Sequence, residues 1–186
     1  SITSSIGNLL LEGKKDRSYR IFKNMLFINA AIYTTVAAGV LCCIEPVIQL
    51  WIGNGYLLDR WVLVIIVINM FLNGMRYTSN SFKSAGGVFY EDRHVPIIEA
   101  SANLVLSLVF VYFFGLAGVL LGTICSNLVI FLYGHPKYVY GKLFEQPYFR
   151  FLLDYGVYFL LAAFVFAVSL FLSGLIVIEN TLLAFL

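Results

Sequence analysis

Long uncharged apolar stretches alternate along this chain with short polar, basic segments. The first runs from Asn24 to Ile44, 21 residues without a charge, and at ~1.5 Å per residue it crosses the ~30 Å hydrocarbon layer of a bilayer. Glu45-Pro46 follows, read as a kinked helix end or, alternatively, as a gate, and Trp51 with the turn signal Gly53-Asn54-Gly55 closes the span. The second span opens at Trp61 and is interrupted only by Arg76; the third opens at Pro96, a favourable first-turn residue, and carries Glu99. From Ala100 to Gly134 there are 35 residues with no charge. A single helix of that length would measure ~52 Å, too long for one crossing, so a hairpin is placed at Gly115-Leu116-Ala117-Gly118.

The pattern therefore predicts an all-α integral membrane protein with about five complete transmembrane helices, over residues 24–52, 61–82, 96–114, 116–133 and 151–175. Residues 1–23 are expected to form a basic loop, and 176–186 an outer loop with the start of a truncated sixth helix. The chain reads as a piece of a longer protein.

Charge supports the same count. If the spans alternate strictly, eleven of the twelve Lys and Arg residues fall on one side, and only Arg60 lies on the other. The positive-inside rule makes the populated side cytoplasmic, with residue 1 on it. Trp51, Tyr56 and Trp61 are expected in an outer aromatic belt, and Tyr138, Tyr140, Tyr148 and Phe149 in an inner one.

Composition makes water an unsuitable solvent. The chain is 61% hydrophobic and 12% charged, with a mean hydropathy of +0.90, against ~25% charged residues in soluble domains. A net charge of +2 argues against a nucleic-acid partner. Cys42, Cys43 and Cys125 lie inside apolar runs without metal-ligand spacing and read as buried thiols. His94 and His135 are expected in loops. No Walker A sequence, G-x-S-x-G or dinucleotide-binding glycine pattern occurs, so no catalytic residue, cofactor or metal ligand is assigned and no enzyme is expected.

Polar residues inside the spans carry the candidate chemistry. Asn69, Asn73, Arg76 and Asn80 share one face of the second span, and Glu99, Asn103 and Ser107 share one face of the third. Polar groups at this depth avoid lipid and face protein or a water-filled cavity. Arg76 lies ~9 Å and Glu99 ~5 Å from the same membrane surface by axial rise, so the two either meet, line one cavity, or snorkel separately. Gly118 and Gly122 form a small-residue face suited to close helix packing.

Ordered short motifs add a family resemblance. They are Ser5-Ile6-Gly7-Asn8-Leu9-Leu10, Glu12-Gly13-Lys14-Lys15, Ser18-Tyr19-Arg20-Ile21-Phe22, Leu50-Trp51-Ile52-Gly53, Ile68-Asn69 and Asn73-Gly74-Met75-Arg76. Glu91-Asp92-Arg93, Pro96-Ile97-Ile98-Glu99-Ala100 and the run from Phe114 to Ile124 follow. Over residues 1–145 the set resembles polysaccharide flippases of the Wzx type, within the multidrug/oligosaccharidyl-lipid/polysaccharide exporter superfamily. The resemblance implies a two-lobe bundle of twelve to fourteen helices around a central cavity, of which this chain is the C-terminal part. It also implies a bacterial cytoplasmic membrane location and, as substrate, a lipid-linked oligosaccharide flipped on undecaprenyl diphosphate for O-antigen, capsule or exopolysaccharide synthesis. Membrane lipid and a possible coupling ion are the other expected partners. The rival readings are an exporter of drugs or lipid precursors, a membrane glycan polymerase or acyltransferase, and a scaffold whose polar stripes only hold helices together.

Overall fold

A computed structural model of the chain describes residues 2–183, and among these the regular structure is helical, with no strand. A short helix α1 (Ile2–Leu11) turns at Gly13 into the long α2 (Lys15–Trp51). A single 3-10 turn, Asn54–Tyr56, leads to α3 (Arg60–Ala85); one helical turn, α4 (Phe89–Asp92), leads to α5 (His94–Phe114). Then come α6 (Leu116–Gly134), a π-helical segment His135–Leu143, and α7 (Tyr148–Leu183). Five of the described helices are long and apolar enough to cross a membrane.

The break between the third and fourth spans falls where the uncharged run was divided. Gly115 takes φ +57°, its N–H closing on the Val111 carbonyl at 2.9 Å while its own carbonyl accepts from Gly118 N–H at 2.9 Å. A side chain is strained at that backbone conformation, which is why the hairpin sits on a glycine.

Burial ranks the helices. In its most apolar stretch α3 is 61% buried and α5 not at all, so α3 is the central helix and α5 an outer one packed against α6. The main core joins Phe22 and Leu26 of α2, Phe71, Met75 and Phe82 of α3, Phe131 of α6, and Phe151 and Tyr155 of α7. Its rings meet mostly edge to face or tilted, as in Phe22–Phe82 at 5.2 Å and Phe131–Tyr155 at 4.8 Å between centroids, the arrangement the ring quadrupole favours. The outside is apolar as well: Leu160, Phe164, Val168 and Phe171 form an exposed stripe along α7. A bundle with apolar residues on both its inner and outer faces, and five helices of crossing length, has the make-up of a multi-pass membrane protein.

The polar links cluster at one end. Lys15 pairs with Glu145, Lys83 with Asp92 and Lys142 with Glu91, so the start of α2, the turn α4, the link before α7 and the ends of α3 and the π segment come together. At the opposite end Arg60 reaches α7, donating to the Leu170 carbonyl at 2.9 Å and to Ser173.

Several sequence expectations are corrected. Residues 1–23 are not a loop: α1 and the first turns of α2 occupy them, with Ile6 and Phe22 in the core. Glu45-Pro46 lies inside α2, which runs on through Pro46 to Trp51, within one residue of the span end expected at 52. The 134–150 link is mostly the π-helical segment, whose His135, Val139 and Tyr140 are fully buried. Pro136 lacks an N–H for the α ladder, and the wider turn is closed by Phe144 N–H on the Val139 carbonyl at 3.2 Å. Tyr140 is therefore a core residue and not a member of an aromatic belt, whereas Trp51, Tyr56 and Trp61 are exposed. His94 opens α5. None of the cysteines is fully buried, and Cys43 is exposed. No loop separates residues 176–180 from what precedes them, because no Gly or Pro follows Gly174 up to Leu183, where α7 ends. The remainder of the expected sixth helix, 184–186, lies outside the described residues.

Candidate functional site

A polar cluster lies where α3, α5 and α6 meet, and its position follows from glycines. A Cβ on Gly118 would stand 2.1 Å from the Phe110 carbonyl oxygen, and one on Gly122 would stand 2.6 Å from Ser107 N. Only glycine lets α6 approach the α5 backbone this closely. That contact turns Ser107, Asn103 and Glu99, one helix face at four-residue spacing, toward α6 and α3. Asn103 donates to Thr123 Oγ1 at 3.3 Å, and Ser107 donates to Asn103 Oδ1 at 3.1 Å.

Arg76 is the centre of the cluster. Its Nη1 and Nη2 donate to the two carboxylate oxygens of Glu99, at 2.5 and 2.8 Å, and Nη1 also donates to Asn127 Oδ1. The geometry is a fork on a carboxylate, the strongest form of side-chain ion pair. With side chains only 12% and 24% exposed, the pair is largely withdrawn, and removing one partner from such a pair leaves an uncompensated charge. Asn127 Nδ2 donates onward to Asn73 Oδ1 at 3.4 Å, Asn73 Nδ2 to the Asn69 carbonyl at 3.0 Å, and Asn69 Nδ2 to the Leu120 carbonyl at 3.0 Å. Among the described residues, Arg76 Nε and Asn69 Oδ1 are the buried polar atoms of this network that have no hydrogen-bond partner.

The six sequence candidates thus separate. Arg76, Glu99, Asn73 and Asn69 form one connected network, and Asn103 stays one step away as a tie between α5 and α6. Asn80 is exposed and makes no hydrogen bond among the described residues.

Residues the sequence reading passed over also enter. Asn127 completes the Arg76 site; its signal was an amide in the middle of an uncharged span. A second cluster holds Asp154, whose Oδ2 accepts from Tyr19 at 2.5 Å and Tyr140 at 3.0 Å, joining α7, α2 and the π segment. Tyr155 and Ser79 share a buried hydrogen bond of 2.7 Å beside it. Asp154 is the acid in the first turns of an otherwise apolar span, which is itself the kind of residue that marks a site. Among the described residues, no three His, Cys, Asp or Glu side chains are placed to hold a metal ion.

No protein-family pattern, characterised protein or solved structure matches this chain.

Proposed function

We propose that this chain is the C-terminal lobe of a transporter that flips lipid-linked oligosaccharide across the bacterial cytoplasmic membrane, with the Lys14 end in the cytoplasm. The observation that carries the reading is Arg76, a guanidinium set in the helix bundle among Asn73, Asn127 and Glu99. The family-like motif Asn73-Gly74-Met75-Arg76 falls on the same place. Moving a sugar diphosphate past hydrocarbon requires hydrogen bonds and a balancing cation. Arg suits a diphosphate because its planar fork bonds two oxygens at once, and alternating access exposes such a site to each side in turn.

Glu99 shapes the mechanism. It fills the fork that a diphosphate would take, so cargo enters by displacing Glu99, and the displaced carboxylate must move away from the incoming anion or take up a proton. A coupling ion has a natural role at that step.

A second reading is favoured by the same contact. A guanidinium already neutralised by Glu99 and Asn127 ties α3, α5 and α6 together without any cargo. Glycan surface display in a strain lacking its own flippase, with the full-length protein, separates the two. Display per amount of protein in the membrane is expected to be lost with Arg76→Ala and lowered in part with Arg76→Lys. Wild-type display from Arg76→Ala would leave the pair as helix glue.

A further inference from the structure

The α1–α2 elbow carries chemistry that the Arg76 site does not use. A recess of about 880 Å³ opens there, walled by Lys14, Lys15, Arg17 and Arg20 with the carboxylates of Asp16 and Glu145. Four cations face two carboxylates, so the recess is net positive. Two of the cations are occupied: Lys15 by Glu145 and Arg17 by Glu12 at 2.8 Å. Lys14 and Arg20 are exposed and have no ion-pair partner among the described residues.

A second recess, about 350 Å³, shares Gly13 and Lys15 with the first and is walled by Leu10, Leu11 and Leu143 together with Ser18 and Lys142, so it adds a cation and no carboxylate. Two exposed, unpaired cations on one net-positive recess suit a phosphate, which accepts charge-assisted hydrogen bonds from both.

Depth agrees with a membrane source for that phosphate. The uncharged part of α2 begins at Asn24. Arg20 stands four residues before it, ~6 Å out along the helix, and Lys14 ten residues before it, ~15 Å out. The polar layer of a leaflet extends ~5–8 Å beyond the hydrocarbon, so Arg20 stands at phosphate level and Lys14 reaches down to it by its flexible stem.

We propose that the α1–α2 elbow is a binding site for the phosphodiester headgroup of an anionic phospholipid, held by Lys14 and Arg20. The site is separate from the Arg76 cluster and stands whether or not the chain moves a glycan.

Native mass spectrometry of the purified full-length protein in a neutral detergent, titrated with dioleoylphosphatidylglycerol or dioleoylphosphatidylcholine, tests the assignment. Phosphatidylglycerol is expected to bind in preference. An exposed cation paired directly with an anion contributes up to about fivefold, so Lys14→Ala with Arg20→Ala should weaken it by up to about 25-fold. Replacing Arg93 and Lys137, exposed cations elsewhere in the chain, should change it less than twofold. An unchanged melting temperature is expected for both pairs, and Lys14→Gln with Arg20→Gln repeats the test with longer side chains. Equal retention of the two lipids, equal weakening by the control pair, or full displacement of phosphatidylglycerol by millimolar inorganic phosphate would each overturn the lipid assignment.

Discussion

Glu99 grips Arg76 with both carboxylate oxygens across two helices, at 2.5 and 2.8 Å. Because both side chains are largely withdrawn from the surface, the pair's worth lies in mutual neutralisation more than in net stabilisation. Arg76→Ala is expected to lower stability by ~3 kcal/mol, the low end for a broken buried pair since Glu99 keeps some exposure. Arg76→Met with Glu99→Leu should recover most of that loss. Unfolding in mixed micelles measures both, and a double variant as unstable as the single one would refute the neutralisation account.

Two glycine contacts are expected to respond differently to rescue. A Cβ on Gly74 would lie 2.2 Å from the Tyr33 ring of α2, a side chain, whereas one on Gly122 would meet the Ser107 backbone. Gly74→Ala should cost ~1–3 kcal/mol by overpacking and be relieved by Tyr33→Ala. Gly122→Leu should sharply reduce the yield of folded protein in detergent, and no side-chain change at Ser107 should restore it. Melting temperatures of the four proteins decide the matter.

Asp154 is the acceptor for two tyrosine hydroxyls. Asp154→Asn keeps an acceptor in place, but Asp154→Ala leaves both hydroxyls without one, at ~1–3 kcal/mol for each buried group left unsatisfied. Stability should therefore fall in the order wild type, Asn, Ala. Identical melting of the Asn and Ala variants would show that the hydroxyls find other partners.

Strict alternation of the helices separates the α1–α2 elbow from the α2–α3 turn. Single cysteines at Lys14 and Tyr56, with Cys42, Cys43 and Cys125 replaced, should react with an impermeant thiol reagent from opposite sides of sealed cells. Position 56 is expected to label from outside. Labelling of both positions from one side would refute the alternation.

Much of the fold was legible because a membrane imposes a local rule. Backbone polar groups in hydrocarbon must be satisfied within their own helix, and charges are costly there. Uncharged length therefore marks the spans 61–82, 96–114 and 116–133 to within about three residues of α3, α5 and α6, and a glycine marks the turn at 115. Segments at the ends obey no such rule. Residues 1–23 and 134–150 carry charges and read as loops, yet Phe22, Tyr140 and Phe144 in them build the aromatic core.

Periodicity also determined which residues share a helix face, since this depends only on ~100° of rotation per residue. It placed Asn69, Asn73 and Arg76 together, and Glu99 with Asn103. Which faces meet was decided by tertiary structure alone. Glu99 is 23 residues from Arg76, Asn127 is 51 residues from it, and Asp154 is 135 residues from Tyr19. Those pairings depend on how close neighbouring backbones come, as at Gly118 and Gly122, and on the rotation each helix adopts when all its contacts are satisfied at once. That sum runs over the whole bundle, and no stretch of sequence contains it.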